Sequence, residues 1–453
     1  MMNRRQLLRA GSTSLLAAGL GPSVLSAPSW GANTEGYKAL VCVFLFGGMD
    51  NHDTVIPYDP EGYADWARIR SPLVLAQGAS RTRDSLLPLQ PVADRHGGRQ
   101  FSLPPEFSGI HALFQSGQAA LVGNVGPLLQ PTDAASYDSQ SVQLPSRLFS
   151  HNDQQATWMS GAPEGARFGW AGLFADIMRG AGANGDGTFA AITTGGADLL
   201  LTGQETTPYQ VIGEGALSHD ILIDLQSNLA GIMTRHLRAQ GYSGANLLAQ
   251  DMANRQRASF DANRRFNAAA AETGGVTGEF PATGLGQQLR AVSAAIAARD
   301  ELGARRQIFT VGLGGFDTHS NQASDLPMLQ IEIDGAVVAF NRAMQAMGLS
   351  DSVVLFTASD FGRTLAINGD GTDHGWGGHH FVVGGGVRGR TIFGGLPPSV
   401  LGHARDAGSG RLIPDVSVEQ FAAPLGRWFG LSDSEVNATL PNRAAFDGDL
   451  SLF

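Results

Sequence analysis

The sequence predicts an α/β protein built on a mainly parallel central sheet flanked by helices. Its first apolar run, residues 39–46 (ALVCVFLF), ends at a Gly-Gly pair, as expected of a strand buried on both faces. Two later segments, residues 285–302 and 326–347, carry apolar residues at helical spacing. Strands that alternate with such helices are typical of a parallel sheet covered on both faces. Shorter strand-like runs occupy residues 119–125, 189–194, 307–313, 353–357 and 381–383.

One stretch between these elements has a different composition. Residues 218–282 have little strand character and are rich in Ala, Arg, Gln and Asn, which predicts a helical insertion. No internal repeat or long low-complexity tract is visible in the sequence. We therefore predict one domain over residues 33–453 that contains this insertion.

The composition narrows the function classes. The chain has 453 residues, of which 43% are hydrophobic, and this is enough apolar material for a large core. Its formal net charge is −10 and no basic stripe is visible, which argues against a nucleic-acid partner. The single cysteine, Cys42, lies inside the first apolar run, where we expect a buried small hydrophobe rather than a reactive thiol.

The N-terminus has the layout of an export signal. Residues 1–32 begin with a basic head that contains Arg4 and Arg5, continue with a short apolar middle rich in Gly, Ala and Ser, and end in small residues. This pattern predicts a twin-arginine (Tat) signal, hence contact with the Tat export machinery and a periplasmic or secreted location. A membrane anchor is the alternative, but the run is too short to span about 30 Å of hydrocarbon. We therefore expect no stable membrane span.

Polar clusters follow several predicted strands, which is where ligands bind in sheets of this kind. The cluster GGMDNHD contains Asp50, and the cluster GGFDTHS contains Asp317 and His319. Residues two apart on an extended chain point to the same side, so Asp317 and His319 could close on one cation. The alternative is a turn in which Asp317 caps the following segment and His319 is exposed.

The richest cluster is TASDFGRTLAINGDGTDHGWGGHHF, residues 357–381. Asp360 follows a predicted strand, and His374 comes after the loop LAINGDGT. Carboxylate oxygen together with imidazole nitrogen suits a divalent metal, which we take as Zn, Mn or Ca. Asp370 lies beside glycine and fits turn chemistry instead. Arg363 is either a solvated surface charge or a clamp for a phosphate or sulfate group, and we favour the clamp.

The segment SRLFSHNDQQATW contains a candidate nucleophile. Ser150 stands three residues before Asp153, which is capping-box spacing, so capping a helix is its simpler role. A serine at a helix N-terminus also lies in a field that favours an alkoxide and a bound phosphate. A nearby metal would activate Ser150 further. His151 could serve as a hydrogen-bond donor outside the ligand set.

The order of these motifs resembles a known family. Four motifs that follow the twin-arginine signal resemble the "domain of unknown function 1501" family. They are FLFGGMDNHDTVIPYD, RLFSHNDQQATWMSG, VGLGGFDTHSNQ and the stretch from FTASDFGRTL to HHFVVGGGVRG. The resemblance covers essentially the whole mature chain. That family is grouped with the alkaline phosphatase and sulfatase superfamily. The resemblance therefore implies an alkaline phosphatase-like fold, a divalent-metal site at the strand ends and a Ser, Thr or Cys nucleophile.

The resemblance also implies roles for individual residues. Asp50 resembles the first-strand metal aspartate of the superfamily. Asp317 and His319 resemble the aspartate and histidine of one metal site. Asp360 resembles the aspartate of the Thr-Ala-Asp-His motif, and His374 resembles the late histidine.

The chain departs from the superfamily pattern at two places. Asp360 is followed by Phe361 where the phosphatases have a histidine, so one ligand of a second metal is missing. The segment around Ser150 does not match the phosphatase Asp-Ser-Ala motif.

Two functions follow as expectations. The first is an exported metal-dependent hydrolase of phosphate or sulfate esters, in which the five metal-site residues hold one or two cations and Ser150 or a water attacks. The second is a non-catalytic, metal-binding exported protein of the same fold that acts in cell-envelope or surface-polymer assembly. The expected partner is accordingly a small anionic ester or a surface polymer.

Overall fold

The computed structural model describes residues 31–195, 198–212, 215–216, 247–272 and 278–453. Residues 1–30 of the predicted export signal and residues 218–246 of the predicted insertion lie outside these ranges. The described residues from 32 onwards belong to one structural unit.

The described residues contain one large sheet, a small three-stranded sheet, a two-stranded hairpin and the helices around them. The strands are β1 (Lys38–Leu45), β2 (Ile56–Pro57), β3 (Leu87–Pro88), β4 (Phe101–Leu103), β5 (Ala119–Gly126), β6 (Ala191–Thr193), β7 (Tyr209–Ile212), β8 (Gly215–Ala216), β9 (Arg306–Leu313), β10 (Val353–Ser359), β11 (Arg363–Asn368), β12 (Gly371–His374), β13 (Gly378–Gly384), β14 (Ile392–Gly394) and β15 (Val416–Ser417). The α-helices are α1 (Asn51–Thr54), α2 (Pro60–Ile69), α3 (Ser71–Gln77), α4 (Ser108–Gln115), α5 (Ala134–Asp138), α6 (His151–Ser160), α7 (Trp170–Gly180), α8 (Asp198–Leu201), α9 (Leu247–Glu272), α10 (Gly284–Ala297), α11 (Gln322–Ala346), α12 (Val418–Phe429) and α13 (Asp433–Thr439).

The strand order across the large sheet is β14-β5-β13-β10-β1-β9-β6-β7-β8, with β15 beside β5. β1 pairs in parallel with both β9 and β10, and β6 and β7 continue the parallel side. β13 runs antiparallel to both of its neighbours, β10 and β5. The sheet is therefore mixed but mostly parallel, which confirms the predicted fold class.

The central strand β1 is buried on both faces of the sheet. Val41 and Val43 belong to the apolar cluster that includes α10 and α11, whereas Cys42 and Phe44 belong to the cluster that includes α7 and α12. Successive strand residues point to opposite faces, so a strand covered on both sides needs a continuous apolar run. Cys42 is fully buried, as predicted, and its burial raises the pKa of the thiol.

The carboxyl ends of β1, β9 and β10 lie at one edge of the sheet because the three strands are parallel neighbours. The turn after β1 must approach the segment after β9 very closely. Gly47 has a φ of +112°, and a Cβ at this position would lie 2.4 Å from the backbone nitrogen of Asp317. Only glycine tolerates both this backbone angle and this contact. The Gly-Gly pair of the sequence therefore brings two polar clusters together.

The structure differs from the prediction at residues 363–374, where β11 and β12 form an antiparallel hairpin instead of a loop. The polar, glycine-rich composition of this segment gives no strand signal. The hairpin is stabilised by contacts with residues far away in the sequence. The Thr372 N–H donates to the Thr318 carbonyl at 3.0 Å. Asp370 lies in the turn, as predicted, and its carboxylate accepts the Asn321 N–H at 3.0 Å.

The described part of the predicted insertion is helical, since α9 covers most of it. Among the described helices, none combines the length and the apolar composition that crossing a bilayer requires.

Candidate metal centre

Two histidines and an aspartate from distant segments converge at the carboxyl edge of the sheet. His151 begins α6, Asp317 follows β9 and His374 ends β12. One ligand atom from each lies within 4.8 Å of the other two. Within the described ranges, this is the one group of three or more metal-ligating side chains that meets so closely. Two imidazoles and one carboxylate therefore lie close enough together to bind one metal ion.

A buried carboxylate fixes the ring of His151. The Nδ1–H of His151 donates to Oδ2 of Asp360 at 2.6 Å, and Asp360 is fully buried. The same oxygen accepts hydrogen bonds from the Gln155 amide at 2.8 Å and from the Gly47 N–H at 3.2 Å. Among the described residues, no group makes a hydrogen bond with the buried Nε2 of His151, which lies 3.4 Å from Oδ2 of Asp317. Once Nε2 has lost its proton, a histidine held in this way would present the Nε2 lone pair to a metal.

His374 is oriented by a backbone carbonyl. Its Nδ1–H donates to the carbonyl of Phe149 at 2.7 Å, and its Nε2 lies 3.1 Å from Oδ1 of Asp317. The ring of Phe361 stacks on His374 with 4.7 Å between the centroids, and it lies at the same distance from the ring of His151. Hydrogen bonding and packing together direct both Nε2 atoms toward Asp317.

His319 lies on the solvent side of the group. Its Nε2 is 3.0 Å from Oδ1 of Asp317 and 2.9 Å from Nε2 of His374. Its Nδ1 lies 3.5 Å from a carboxylate oxygen of Asp373. The side chain is 46% exposed, so His319 can serve as a fourth ligand or face a bound substrate.

A buried arginine holds the central carboxylate. Nη1 of Arg363 donates to Oδ1 of Asp317 at 2.7 Å and to the Gly47 carbonyl at 3.1 Å. Partial burial opposes ionisation of Asp317, but Arg363 outweighs it and holds the pKa of this carboxyl below its usual value. Asp317 is therefore a carboxylate at neutral pH, and its side chain is 45% exposed.

The two histidines closest to the protein interior, His151 and His374, have opposite pKa shifts. The hydrogen bond to Asp360 raises the pKa of His151, so a metal that binds at its Nε2 would have to displace a proton that this ring holds more tightly than a free imidazole does. Burial lowers the pKa of His374, and the charges of His151 and Arg363 add to this effect. His374 is therefore neutral near pH 7, as a metal ligand must be.

The spacing of these atoms fits one divalent ion. Ligands at about 2.1 Å from a tetrahedral zinc are about 3.4 Å apart. The Nε2 atoms of His151, His319 and His374 lie 3.0 to 3.4 Å from a carboxylate oxygen of Asp317, and those of His319 and His374 are 2.9 Å apart. The ligand atoms of His151, Asp317 and His374 all lie within 4.8 Å of one another. A set rich in imidazole nitrogen suits zinc or manganese, whereas calcium prefers an oxygen shell. The residues present therefore fit a transition-metal ion better than calcium.

The sequence motifs around this group match one family. The family model described as "Protein of unknown function (DUF1501)" covers residues 37–440, which include all four residues. The chain belongs to the DUF1501 family. This confirms the family resemblance predicted from the motifs. No functionally curated protein matches the chain.

Among solved structures, this DUF1501 protein is similar at low identity to a carrahexaose complex, a phosphatase and a sulfatase. Ps i-CgsB in complex with k-i-k-neocarrahexaose is 10% identical, with 92% of this chain and 75% of that chain covered and a TM-score of 0.34. A mutant of the alkaline phosphatase PafA is 12% identical, with 73% and 64% covered and a TM-score of 0.28. PsFucS1 sulfatase from Pseudoalteromonas sp. is 11% identical, with 91% and 70% covered and a TM-score of 0.33. These values are too low to transfer any site residue.

Of the five predicted metal ligands, the structure brings three into direct proximity: Asp317, His319 and His374. Asp360 lies next to this group, but it contacts the ring of His151 instead of pointing at the shared centre. Its part is to orient a ligand. His151 was predicted as an outer donor, and the structure places it among the ligand atoms.

Asp50 does not join the group, which corrects its predicted role. Its Oδ1 accepts the His52 N–H at 3.0 Å and caps α1. Its Oδ2 is ion-paired with Arg70 and accepts a hydrogen bond from Gln322. The carboxylate is 1% exposed, and its charge is already neutralised by the chain. Asp50 therefore stabilises the fold by capping α1 and pairing with Arg70.

The anion-clamp role predicted for Arg363 does not fit the geometry either. The side chain is fully buried. Besides its contacts with Asp317 and Gly47, its Nη2 donates to the Thr372 carbonyl and its Nε to the Thr372 hydroxyl. Every nitrogen of the guanidinium is used within the protein, so Arg363 positions Asp317.

Ser150 is the N-cap residue of α6, as predicted, although its side chain makes no cap hydrogen bond. Its hydroxyl donates to Oδ2 of Asp153 at 3.0 Å instead. Asp153 is 4% exposed. The role of Ser150 as a nucleophile stays a prediction.

Proposed function

We propose that this protein is an exported metal-dependent hydrolase of phosphate or sulfate esters. One divalent ion, zinc or manganese, is held by His151, Asp317 and His374, with His319 at the open side. The observation that carries the proposal is that three imidazole nitrogens, the Nε2 atoms of His151, His319 and His374, lie within 3.4 Å of the single carboxylate of Asp317.

A cation bound here would polarise an ester oxygen and would lower the pKa of an attacking hydroxyl or water. The chain provides the rest. Asp360 holds the proton on Nδ1 of His151, and Arg363 fixes the orientation of Asp317. The exposed sides of Asp317 and His319 leave room for a substrate at the mouth of the site.

Ser150 is the proposed nucleophile, with a water as its alternative. Its hydroxyl proton already lies in a hydrogen bond to the carboxylate of Asp153, which is the contact that a base needs. In the attack, the Ser150 proton moves to Asp153, a bond forms between Oγ and phosphorus or sulfur, and the bond from that atom to the ester oxygen breaks. Asp153 then gives the proton to the ester oxygen, which leaves as the alcohol, and a water hydrolyses the seryl ester to restore Ser150.

A second candidate function is a non-catalytic, metal-binding role in cell-envelope or surface-polymer assembly. Phe361 favours it. This ring is 2% exposed and packs against the rings of His151 and His374, and a phenyl ring offers no ligand atom to a second cation. With Arg363 used internally, the inner residues offer no free guanidinium for an anion.

Hydrolysis of generic aryl phosphates and aryl sulfates separates the two functions. The wild-type protein is assayed with added Zn²⁺, Mn²⁺ or Ca²⁺ beside Ser150→Ala and His374→Ala, with the exposed Ser141→Ala as a matched control. The hydrolase proposal expects turnover in the wild type and in Ser141→Ala, and loss in His374→Ala. Loss in Ser150→Ala selects the serine over a water. Equal rates in the wild type and His374→Ala would refute the hydrolase.

Export through the Tat pathway is part of the same proposal and has its own test. Replacing Arg4 and Arg5 with lysine preserves the charge but removes the paired guanidinium groups. We expect the wild-type protein in the periplasm or medium and the variant retained in the cytoplasm, as measured by fractionation. An equal distribution of the wild type and the variant between these fractions would contradict export through the Tat pathway.

A further inference from the structure

The carbonyl that orients His374 belongs to a residue with an uncommon backbone conformation. Phe149 has a φ of +70°, in the left-handed region that non-glycine residues seldom adopt. Such conformations persist only where the surroundings enforce them. Its N–H donates to the side chain of Gln154 at 2.5 Å, and its carbonyl accepts the Nδ1–H of His374 at 2.7 Å. The angle thus aims one carbonyl at one imidazole.

Arg411 contacts both partners of that hydrogen bond. Its guanidinium lies over the ring of Phe149, 5.1 Å from the centroid. Its Nε donates to the backbone carbonyl of His374 at 2.8 Å. One side chain therefore spans the segment before α6 and the end of β12, which bear the acceptor and the donor of the orienting bond.

A tightly bonded loop presents Arg411. The carboxylate of Asp406, which is 8% exposed, accepts N–H groups from Gly402, Gly408 and Gly410 at 2.7 to 2.8 Å. The Nη1 of Arg411 donates to the Gly408 carbonyl at 3.2 Å. The loop is thus braced from inside, and its arginine has a defined position.

We propose that Arg411 is a positioning residue for the metal centre: it holds Phe149 and His374 in register, so that ion affinity depends on a side chain that is not a ligand. This inference rests on the proposed metal binding and goes beyond it by assigning a residue that neither the motifs nor the ligand geometry identified. Groups that orient a ligand typically change metal affinity by about 10- to 100-fold when removed.

The test compares Arg411→Met, Arg411→Lys and the control Arg95→Met. Arg95 also lies over a phenylalanine ring, that of Phe393, at 5.6 Å, but it is outside the metal centre. Three quantities are measured on each protein: Zn²⁺ affinity by chelator competition, the Co²⁺ absorption spectrum, and the melting temperature of the metal-free protein.

We expect about tenfold weaker Zn²⁺ binding and a shifted Co²⁺ spectrum in Arg411→Met. Arg411→Lys, which keeps the charge, should have a Zn²⁺ affinity between those of the wild type and Arg411→Met. Arg95→Met should have the wild-type affinity. Melting of the metal-free Arg411→Met should stay close to that of the wild type. In a double-mutant cycle, Phe149→Ala and Arg411→Met should not add, because both remove the same restraint on His374.

Wild-type Zn²⁺ affinity and spectrum in Arg411→Met would overturn this inference alone. A loss of affinity that is matched by a large drop in metal-free melting would also overturn it, since Arg411 would then be only structural. A wild-type protein that binds no Zn²⁺ would refute the proposed function, and this inference with it.

Discussion

Two segments of this chain share the pattern Gly-Gly-x-Asp-x-His and lie in opposite environments. GGMDNHD follows β1 and GGFDTHS follows β9, the parallel neighbour of β1, so both stand at one edge of the sheet. Asp50 of the first is 1% exposed and paired with Arg70. The side chain of Asp317 in the second is 45% exposed and faces three imidazole nitrogens.

The histidines of the two segments differ in the same way. Nε2 of His52 lies 3.0 Å from the Gly410 carbonyl, so it carries a proton and has no lone pair to offer. Nε2 of His319 lies beside Asp317 and His374. The shared pattern therefore does not identify a metal ligand. The partners that the rest of the chain brings to each segment decide which one can bind a cation.

The largest difference should appear in metal affinity. His374→Ala removes a ligand, and we expect at least a hundredfold loss of Zn²⁺ affinity, more than the typical effect of an orienting group. His52→Ala should leave the affinity unchanged, because its Nε2 is bonded to Gly410. Chelator competition on protein shown to be folded measures both. Equal losses in the two variants would end the distinction between the segments.

The first segment should instead govern stability. Arg70→Met leaves the buried carboxylate of Asp50 without its partner, and we expect a loss of about 3–5 kcal/mol in the free energy of unfolding. Zn²⁺ affinity of the folded fraction should not change. Urea denaturation measures the loss, with Arg68→Met as control, because Arg68 is 67% exposed in its pair with Asp65. A metal-binding defect in Arg70→Met would place Asp50 in the metal centre after all.

The two segments each have a buried carboxylate nearby that can be neutralised. Asp360→Asn keeps an acceptor for His151 but removes the charge, and we expect roughly tenfold weaker Zn²⁺ binding. Asp53→Asn removes a charge paired with Arg81, outside the metal centre, and should not affect binding. Isothermal titration of both variants with Zn²⁺ checks this, and the account is contradicted if Asp53→Asn has the larger effect.

A last expected effect concerns the pH dependence of stability and two histidines that the metal centre does not use. Burial lowers the pKa of His379 to about 4 and that of His380 to about 3. The unfolded chain binds these protons near pH 6.5, so the stability they contribute is complete above that pH and falls as the pH drops toward the folded values. Between pH 6.5 and the folded pKa values, the fall should be about 1.4 kcal/mol per pH unit for each histidine.

Urea denaturation of the metal-free protein at pH 7 and pH 5 measures this dependence. His379 and His380 should contribute about equally to the pH dependence of the free energy of unfolding. His380→Gln should therefore remove about half of their joint contribution. An unchanged slope in His380→Gln would show that other groups dominate acid destabilisation.

Part of this architecture could be read from the sequence. The strands at residues 39–46 and 353–357 were predictable because burial on both faces demands continuous apolar runs. Asp317, His319 and His374 were found because polar clusters at strand ends stand out in a chain with few charges. His151 was harder to assign, since its place depends on how α6 packs against the sheet, and its local sequence looks like a helix cap.

The errors have physical causes as well. Arg363 was predicted to clamp an anion because nothing in the local sequence shows that its guanidinium is enclosed by the carbonyls of Gly47 and Thr372. Asp50 looked like a ligand because its partner, Arg70, is 20 residues away in the chain. The hairpin of β11 and β12 was missed because its order comes from contacts with the segment after β9.

The central claim is that one cation joins His151, Asp317 and His374. Anomalous diffraction at the zinc edge, from crystals of protein prepared with Zn²⁺, tests it most directly. The account predicts one strong peak about 2 Å from Nε2 of both histidines and from the carboxylate of Asp317. A peak at Asp50, or no peak between these three side chains, would contradict it.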